Sequence, residues 1–250
     1  MTTRISLLVS IGRNPVSGAP RACRNDVVAL DIARSLAGEL TLLHAGDIGN
    51  PGLADYLAYG ADKLDIVPAT PESDIVAALA DQLGSADLIL CGSRAEDGEE
   101  SGMLPYLVAE RLKLPIIGQA LSLTIIGDHV EITQFLPRGA RRLVRVALPA
   151  VVAIHPRAPV RPRYAFARKR AGKIVELAPA AGSQASPWHI EPVTRAPIKF
   201  KAHKKEAGHS RMQSAIAPVS KGGEVLTEGS AAEKAQAILA YLRRHRLTDH

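Results

Sequence analysis

The amino-acid sequence predicts an α/β fold built on a doubly wound, mostly parallel sheet. Short apolar runs at 5–11, 39–46, 63–68 and 86–92 have the length and composition of strands. Between them, apolar residues recur every three to four positions, as they do on helices that cover a sheet. Because strands and helices alternate, each connection is expected to be a parallel crossover.

Three predicted helices connect these four strands. The first spans 25–36 and begins with Asn25, whose side chain commonly caps helices. The second is short and spans 51–61. The third spans 73–83, is rich in alanine and begins with Ser73 as its cap. Each helix returns the chain to the start of the next parallel strand.

The fourth strand leads into a loop and a further helix. Residues 88–91 are all apolar, as expected of a strand that is covered on both faces. The loop at 93–101 is rich in small and acidic residues. The first turn of the following helix offers unpaired N–H groups and the positive end of the helix dipole, and Ser101 and Gly102 allow an anion to approach closely. This segment therefore predicts a phosphate site that needs no lysine.

The same segment has a second interpretation. Glu99 and Glu100 can simply complement the dipole of a helix that binds nothing. The spacing of the residues leaves both interpretations open. In a doubly wound sheet, ligands bind outside the carboxyl ends of the strands, where we expect Ser10, Ala45 and Gly92.

The pattern then changes to antiparallel strands. Segments at 122–127, 129–136 and 141–148 alternate apolar and polar side chains, and glycine-containing turns join them. Residues 148–156 return to a buried strand. The parallel sheet is therefore expected to carry an antiparallel hairpin extension.

The last part of the chain is basic and has little periodicity. Shortly after the last predicted strand it becomes rich in Pro, Arg and Lys, which is typical of an arm. We assign 1–185 to a nucleotide-binding α/β domain and 186–250 to an extended basic arm. The arm ends in an amphipathic helix within 229–247, which begins with a Ser–Glu capping box and needs a surface to cover.

The charge of the chain is unevenly distributed. Residues 1–156 include 13 basic and 18 acidic residues, a net charge of −5, whereas 157–250 include 18 basic and 7 acidic residues, a net charge of +11. Few aromatic residues are available for base stacking, and no nucleic-acid motif occurs. Nucleic acid is therefore not an expected partner.

Other functional classes are also disfavoured. Cys23 and Cys91 lie outside any CxxC pair, so neither a disulfide framework nor a metal knuckle is predicted, and Cys91 is expected in the core. The spacing of His203, Glu206 and His209 is better explained by solvated charges than by a metal site. Without a secretory signal or about 20 consecutive apolar residues, we expect a cytoplasmic protein with no membrane insertion. No common hydrolase or P-loop motif occurs, which favours a binding protein over a catalyst.

Four segments of the chain are similar to the β (small) subunit of electron-transfer flavoproteins. They are YLAYGADKLDIV at 56–67, GSRAEDGEESGMLPYLVAERLKLP at 92–115, LPAVVAIHP at 148–156 and PRYA at 162–165. They stand in the order and approximate spacing of that family, and the resemblance extends over nearly the whole chain.

This resemblance implies a heterodimer in which the α subunit carries the redox FAD. The β subunit performs no chemistry, holds a structural AMP and shapes one wall around the flavin. Whether its nucleotide is AMP or FAD stays open, as does the alternative of a stand-alone adenine-nucleotide sensor or hydrolase of the same fold. The AMP site implied by the resemblance consists of Ser10, Arg24, Asn25, Ala45, Gly92, Ser93, Arg94, Ala95, Glu100, Ser101, Gly102 and Met103.

The chain departs from the family at the segment that docks onto dehydrogenases. Residues 166–172 read FARKRAG, whereas the family has an apolar Leu-Pro-Asn-Ile-Met-Lys-Ala stretch after PRYA. Gln134 and Pro137-Arg138 also differ from the family's charged signature. We therefore expect a flavin dehydrogenase of the amine or N-methylglycine type, rather than an acyl-CoA dehydrogenase, as electron donor. The expected acceptor is a quinone oxidoreductase.

Overall fold

The computed structural model describes residues 2–70, 73–98, 100–178, 208, 212, 225–245 and 247. The chain divides into two units, Met1–His189 and Ile190–His250, which are described separately. In the first unit, the strands are β1 Arg4–Leu8, β2 Ile11–Arg13, β3 Pro20–Ala22, β4 Glu39–Gly46, β5 Lys63–Pro68, β6 Leu88–Gly92, β7 Ile116–Ile126, β8 His129–Phe135, β9 Arg141–Ala147, β10 Ala150–Ile154 and β11 Lys173–Glu176. Its α-helices are α1 Arg24–Ser35, α2 Ala54–Ala58, α3 Ile75–Leu83, α4 Leu104–Leu112 and α5 Phe166–Ala171.

Nine of the described strands form one sheet in the order β11-β5-β4-β1-β6-β10-β7-β8-β9. Pairing is parallel from β11 to β7 and antiparallel from β7 through β8 to β9. The predicted doubly wound α/β fold with an antiparallel extension is therefore confirmed. The turn between β7 and β8 contains Gly127, whose φ of 61° explains why glycine is used there.

Two apolar clusters lie on opposite faces of the sheet. On one face, Leu7, Leu42 and Leu90 pack with residues of α1 and α2. On the other, Leu8 and Cys91 pack with residues of α3 and α4. Neighbouring strand residues thus point to opposite, equally apolar layers, which explains why these strands are apolar throughout. Each fully buried aliphatic side chain contributes about 1.5–3 kcal/mol of transfer free energy.

The two helix caps differ from the prediction. The cap of α1 is Cys23, not Asn25, and the Asn25 side chain instead donates a hydrogen bond to the carbonyl of Arg94 at 2.7 Å. The cap of α3 is Asp74, not Ser73, because the Asp74 carboxylate accepts from the N–H of Ala77 at 3.0 Å. Ser73 Oγ accepts a hydrogen bond from the N–H of Thr70 instead.

Two elements of the first unit lie where the sequence indicates no regular structure. The first is the antiparallel hairpin of β2 and β3, which follows β1. The second is α5 with β11, within the Pro- and Arg-rich segment after β10, where β11 pairs in parallel with the edge of β5. These strands have three or four residues, which is too short for a period of two to be recognised.

Within the second unit, the structure describes one helix, α6, at Ala231–Arg244. Its capping box forms as predicted: Ser230 Oγ accepts from the N–H of Glu233, and the Glu233 carboxylate accepts from the N–H of Ser230 at 2.7 Å. Glu99, His203, Glu206, His209 and most of the predicted arm at 186–250 lie outside the described residues.

Among the helices that the structure describes, none is both long and apolar enough to cross a membrane. Within the same part of the chain, no three His, Cys, Asp or Glu side chains are placed so that they could hold a metal ion.

Candidate functional site

A cavity of about 580 Å³ opens at the carboxyl ends of β1 and β6. The β6–α4 loop, of which residues 93–98 and 100–103 are described, forms one wall. The N-terminal ends of α3 and α4 form another. The location is the one at which doubly wound sheets bind ligands. We refer to this space as the strand-end cavity.

Seven of the twelve predicted site residues line the strand-end cavity. They come from the end of β1, the end of β6 and the β6–α4 loop, so that segments far apart in sequence meet here. The seven residues are Ser10, Gly92, Arg94, Ala95, Glu100, Ser101 and Gly102.

The other five predicted residues lie elsewhere. Arg24 and Asn25 line a second cavity of about 470 Å³, to which Arg21, Asp55, Tyr59 and Glu96 also contribute; we call it the Arg24 cavity. Ala45, Ser93 and Met103 line neither of these two cavities.

The strand-end cavity also contains residues that the sequence analysis missed. The start of α3 contributes Asp74, Ile75 and Val76, although the resemblance pointed to the strand ends, the start of α1 and the β6–α4 loop. The sequence does contain a signal for these three residues, because the start of α3 follows the end of β5, and ligands bind at such strand ends. Asp26, in the first turn of α1, also lines the cavity and was not predicted.

Asp26 joins the ends of the two strands beneath the cavity. Its Oδ2 atom accepts hydrogen bonds from the N–H of Ser10 at 2.7 Å and from Ser10 Oγ at 2.6 Å. Its Oδ1 atom accepts from the N–H of Gly92 at 3.1 Å. Burial raises the pKa of Asp26 to about 6, although these hydrogen bonds act in the opposite direction. This carboxyl group therefore braces the cavity, and its acceptor sites are already used within the chain.

Tyr56 of α2 completes this buried network. Its hydroxyl donates to the carbonyl of Ser10 at 2.5 Å and accepts from the N–H of Cys23 at 3.0 Å. Burial raises the pKa of Tyr56 well above its usual range and that of the Cys23 thiol to about 12. Both groups are therefore protonated at neutral pH and hold structure rather than react.

Cys91 behaves in the same way. It is 4% exposed, its Sγ lies 3.7 Å from the carbonyl of Val152, and burial raises the pKa of its thiol above the usual range. The prediction that Cys91 belongs to the core is confirmed. A neutral, buried thiol is a poor nucleophile.

The close approach of α1 to the end of β6 requires glycine at position 92. A Cβ atom there would lie 2.3 Å from Asp26 Oδ1 and 2.9 Å from the Cβ of Asn25. Gly102, at the other end of the loop, has a φ of 68°, in the left-handed region that favours glycine. Backbone conformation and space therefore both explain these two glycines.

Most charged groups around the strand-end cavity already have partners. Asp97 pairs with Arg13 and accepts from the N–H of Gly98, and these interactions lower its pKa. Asp74 caps α3. Within the described part of the chain, the guanidinium of Arg94 makes no hydrogen bond or ion pair. It is therefore available to an anionic ligand.

The cavity combines an apolar region with a region suited to an anion. Leu8, Val9 and Leu79 provide apolar surface for a flat ring. At the start of α3, the N–H groups of Ile75 and Val76 have no preceding turn to satisfy them. At the start of α4 this holds for Leu104 alone, because Pro105 has no N–H and Tyr106 donates to the carbonyl of Met103 at 3.0 Å. Pockets that bury small molecules have volumes of about 300–1,000 Å³, so the cavity is large enough for a nucleotide.

Comparison with known proteins agrees with this geometry. A family model described as "Electron transfer flavoprotein domain" matches residues 24–181. Over an alignment of 249 residues, the chain is also 35% identical to the protein named "Electron transfer flavoprotein subunit beta" of Chromohalobacter salexigens. The alignment covers 96% of this chain and 93% of that protein. By both comparisons, the chain belongs to the electron transfer flavoprotein family, among its β subunits.

Proposed function

We propose that this chain is the β subunit of a heterodimeric electron-transfer flavoprotein and that its strand-end cavity binds AMP as a structural ligand. The observation that carries the proposal is that Arg94, two helix N-termini and several apolar side chains line one cavity of about 580 Å³. Backbone N–H groups and a guanidinium without a partner suit a phosphate. The apolar side chains suit an adenine ring.

The acidic lining favours a nucleotide with one phosphate. Asp74, Asp97 and Glu100 all line the cavity, whereas Arg94 is its one basic residue among the described ones. Each further phosphate would add negative charge near these carboxylates. We therefore propose AMP rather than ADP or ATP.

FAD, bound mainly by the α subunit, supplies the electron transfer in this proposal. The β chain braces the partner's flavin site and has no catalytic residues of its own. In support, its buried thiols are protonated, and Asp26 and Tyr56 are used in internal hydrogen bonds. The heterodimer is proposed to act in the cytoplasm, which suits a chain whose two cysteines are both free.

We propose a flavin dehydrogenase of the amine or N-methylglycine type as electron donor and a quinone oxidoreductase as acceptor. The departure at 166–172 supports the choice of donor. This segment contains the short basic helix α5, in which Phe166 is 64% exposed and Lys169 pairs with Asp55 of α2. A surface with one exposed aromatic residue and several arginines differs from an apolar docking loop.

The assignment of 1–185 to a nucleotide-binding domain and 186–250 to an arm is part of the same proposal. The apolar residues of α6 support it, because Ile238 and Tyr241 are 62% and 50% exposed. An amphipathic helix with an exposed apolar stripe is stabilised when it packs on another surface. We propose that this surface belongs to the α subunit.

Ligand release from the purified protein tests the proposal. The chain is expressed alone and together with its α subunit, the complex is denatured, and the released ligands are identified by mass spectrometry. We expect a yellow complex only on co-expression, with one FAD and one AMP per heterodimer. A complex without AMP, or with a second FAD in its place, contradicts the assigned ligand. Nucleotide turnover by the chain alone would instead favour the sensor or hydrolase alternative.

A further inference from the structure

Two arginine–carboxylate pairs join the β2–β3 hairpin to the β6–α4 loop. Arg13 Nε lies 2.7 Å from Asp97 Oδ2, and Arg21 Nη2 lies 2.8 Å from Glu96 Oε2. Arg21 Nε also donates to the carbonyl of Arg13 at 3.1 Å, which links the two arginines across the hairpin. Neither arginine belongs to the set of residues implied by the family resemblance.

Residues 94–97 of this loop form a wall between the two cavities. Arg94, Ala95 and Asp97 line the strand-end cavity, whereas Glu96 lines the Arg24 cavity together with its partner Arg21. Because Ala95 and Glu96 face opposite cavities, a rotation of the loop would move Arg94 and Asp97 together. Glu96 lies two residues from Arg94, whose carbonyl accepts from the Asn25 side chain at 2.7 Å, so the contacts of Glu96 and Asn25 together hold the backbone from which Arg94 extends.

The hairpin is a firm support for the loop because it is closely packed on both sides. A Cβ atom at Gly52, in the turn before α2, would lie 2.9–3.1 Å from backbone atoms of Arg21. On the loop side, a Cβ atom at Gly12 would lie 3.2 Å from Glu96 Cβ and 3.3 Å from the Cα of Cys23. Neither side leaves room for the hairpin to shift without moving its neighbours.

We propose that Arg13 and Arg21 are positioning residues that hold the β6–α4 loop in its nucleotide-binding conformation, so that the hairpin sets the affinity of the strand-end cavity. This inference rests on the proposed function of that cavity. The Arg21–Glu96 pair carries more of the effect, because its side chains are 27% and 24% exposed, against 63% and 37% for Arg13–Asp97. Ion pairs that are less exposed to water are less screened.

Charge reversal tests the inference. Arg21→Glu, Glu96→Arg and the double variant are compared in the αβ complex after its nucleotide has been removed, and AMP binding is measured by titration calorimetry. A matched control is Arg145→Glu, since its partner Glu131 is also 24% exposed but lies in the antiparallel extension. Glu96→Gln, which keeps the shape of the side chain, replaces Glu96→Arg if that variant fails to assemble.

We expect each single reversal to weaken AMP binding about fivefold, the ratio that corresponds to about 1 kcal/mol. The double variant is expected to recover to within about twofold of the wild type, and Arg145→Glu to bind AMP normally. Without nucleotide, amide hydrogen exchange at 94–97 should be faster in the single variants than in the wild type or in Arg145→Glu.

Two results would overturn the inference, and they differ in what else they affect. If the single variants bind AMP with the same affinity as Arg145→Glu, the hairpin does not position the loop, and the proposed AMP site stands. A wild-type complex that binds no AMP removes the proposed function, and the inference fails with it.

Discussion

At the scale of single residues, Asp26 shows how one buried carboxyl group can hold a site together through hydrogen bonds within the chain. It accepts hydrogen bonds from backbone groups of Ser10 and Gly92, which end two neighbouring strands. It lies in the first turn of α1, where the helix dipole favours negative charge. In the sequence it is one acidic residue among 25, and its burial, which among the described acidic residues it shares with Asp65, is seen only in the folded structure.

The raised pKa of Asp26 predicts how stability depends on pH. Its pKa increases from 3.8 in the unfolded chain to about 6 in the folded chain, so the folded state binds this proton more tightly. The stability contributed by the protonated form is present below about pH 4 and is lost as the pH rises through about 6. The full change is about 3 kcal/mol, from 1.36 kcal/mol per pKa unit.

This prediction is tested by following the carboxyl ¹³C signal of Asp26 in NMR, assigned through its loss in Asp26→Asn. We expect an apparent pKa near 6. Between pH 4 and 7, the free energy of unfolding of the wild type should fall relative to that of the variant. An Asp26 signal that titrates below pH 4 would show that hydrogen bonding outweighs burial at this site.

At the scale of elements, α3 combines a structural cap with a place in the candidate site. The Asp74 carboxylate accepts from the N–H of Ala77, while Ile75 and Val76 line the strand-end cavity. The apolar period of this helix was visible in the sequence. Its cap was not, because Ser73 and Asp74 are adjacent and both residue types cap helices.

Loss of this cap should destabilise the protein measurably. Asp74→Ala removes the acceptor for the N–H of Ala77 and is expected to cost about 1 kcal/mol of unfolding free energy, whereas Asp74→Asn keeps an acceptor there. In a protein of this size the corresponding shift in Tm is about 2–4 °C, which calorimetry resolves. If alanine and asparagine have equal effects on Tm, the hydrogen bond does not support the helix.

The short elements show the limit of predicting secondary structure from the periodicity of apolar side chains. The hairpin of β2 and β3 has two three-residue strands, and β11 has four residues on the edge of the sheet. At these lengths, alternation of side chains occurs often by chance. These elements form because β3 packs on the turn before α2 and β11 completes an open edge beside β5.

At the scale of the whole molecule, the main feature is the uneven distribution of charge along the chain. The folding of the α/β domain does not require it. Residues 157–250 have a net charge of +11, against −5 for 1–156. A basic segment attracts acidic surfaces and increases the rate of encounter more than the affinity. Such attraction weakens with salt, because the Debye length at an ionic strength of 0.1 M is about 10 Å.

Residues 186–250 include 11 basic and 6 acidic residues, a net charge of +5, and their removal should therefore weaken the proposed heterodimer. We expect less α subunit to copurify with the truncated chain, and slower reduction of the complex's flavin by its donor dehydrogenase. In the full-length complex the same rate should fall as salt is added, because screening removes the attraction. If copurification and rate are both unaffected by the truncation, the arm does not hold the α subunit.

The sequence by itself determined the longer strands and helices, the change from parallel to antiparallel pattern, and the family, because each depends on local periodicity or on ordered motifs. It also indicated Ser10, Gly92 and the loop residues, since the residue types that end strands and begin helices can be recognised in a sequence. The tertiary structure decided that Asp26 braces the cavity, that Arg24, Asn25, Ala45, Ser93 and Met103 lie outside it, and that Arg21 meets Glu96. Contacts between residues 75 positions apart depend on how elements pack, and no local pattern of side chains encodes that packing.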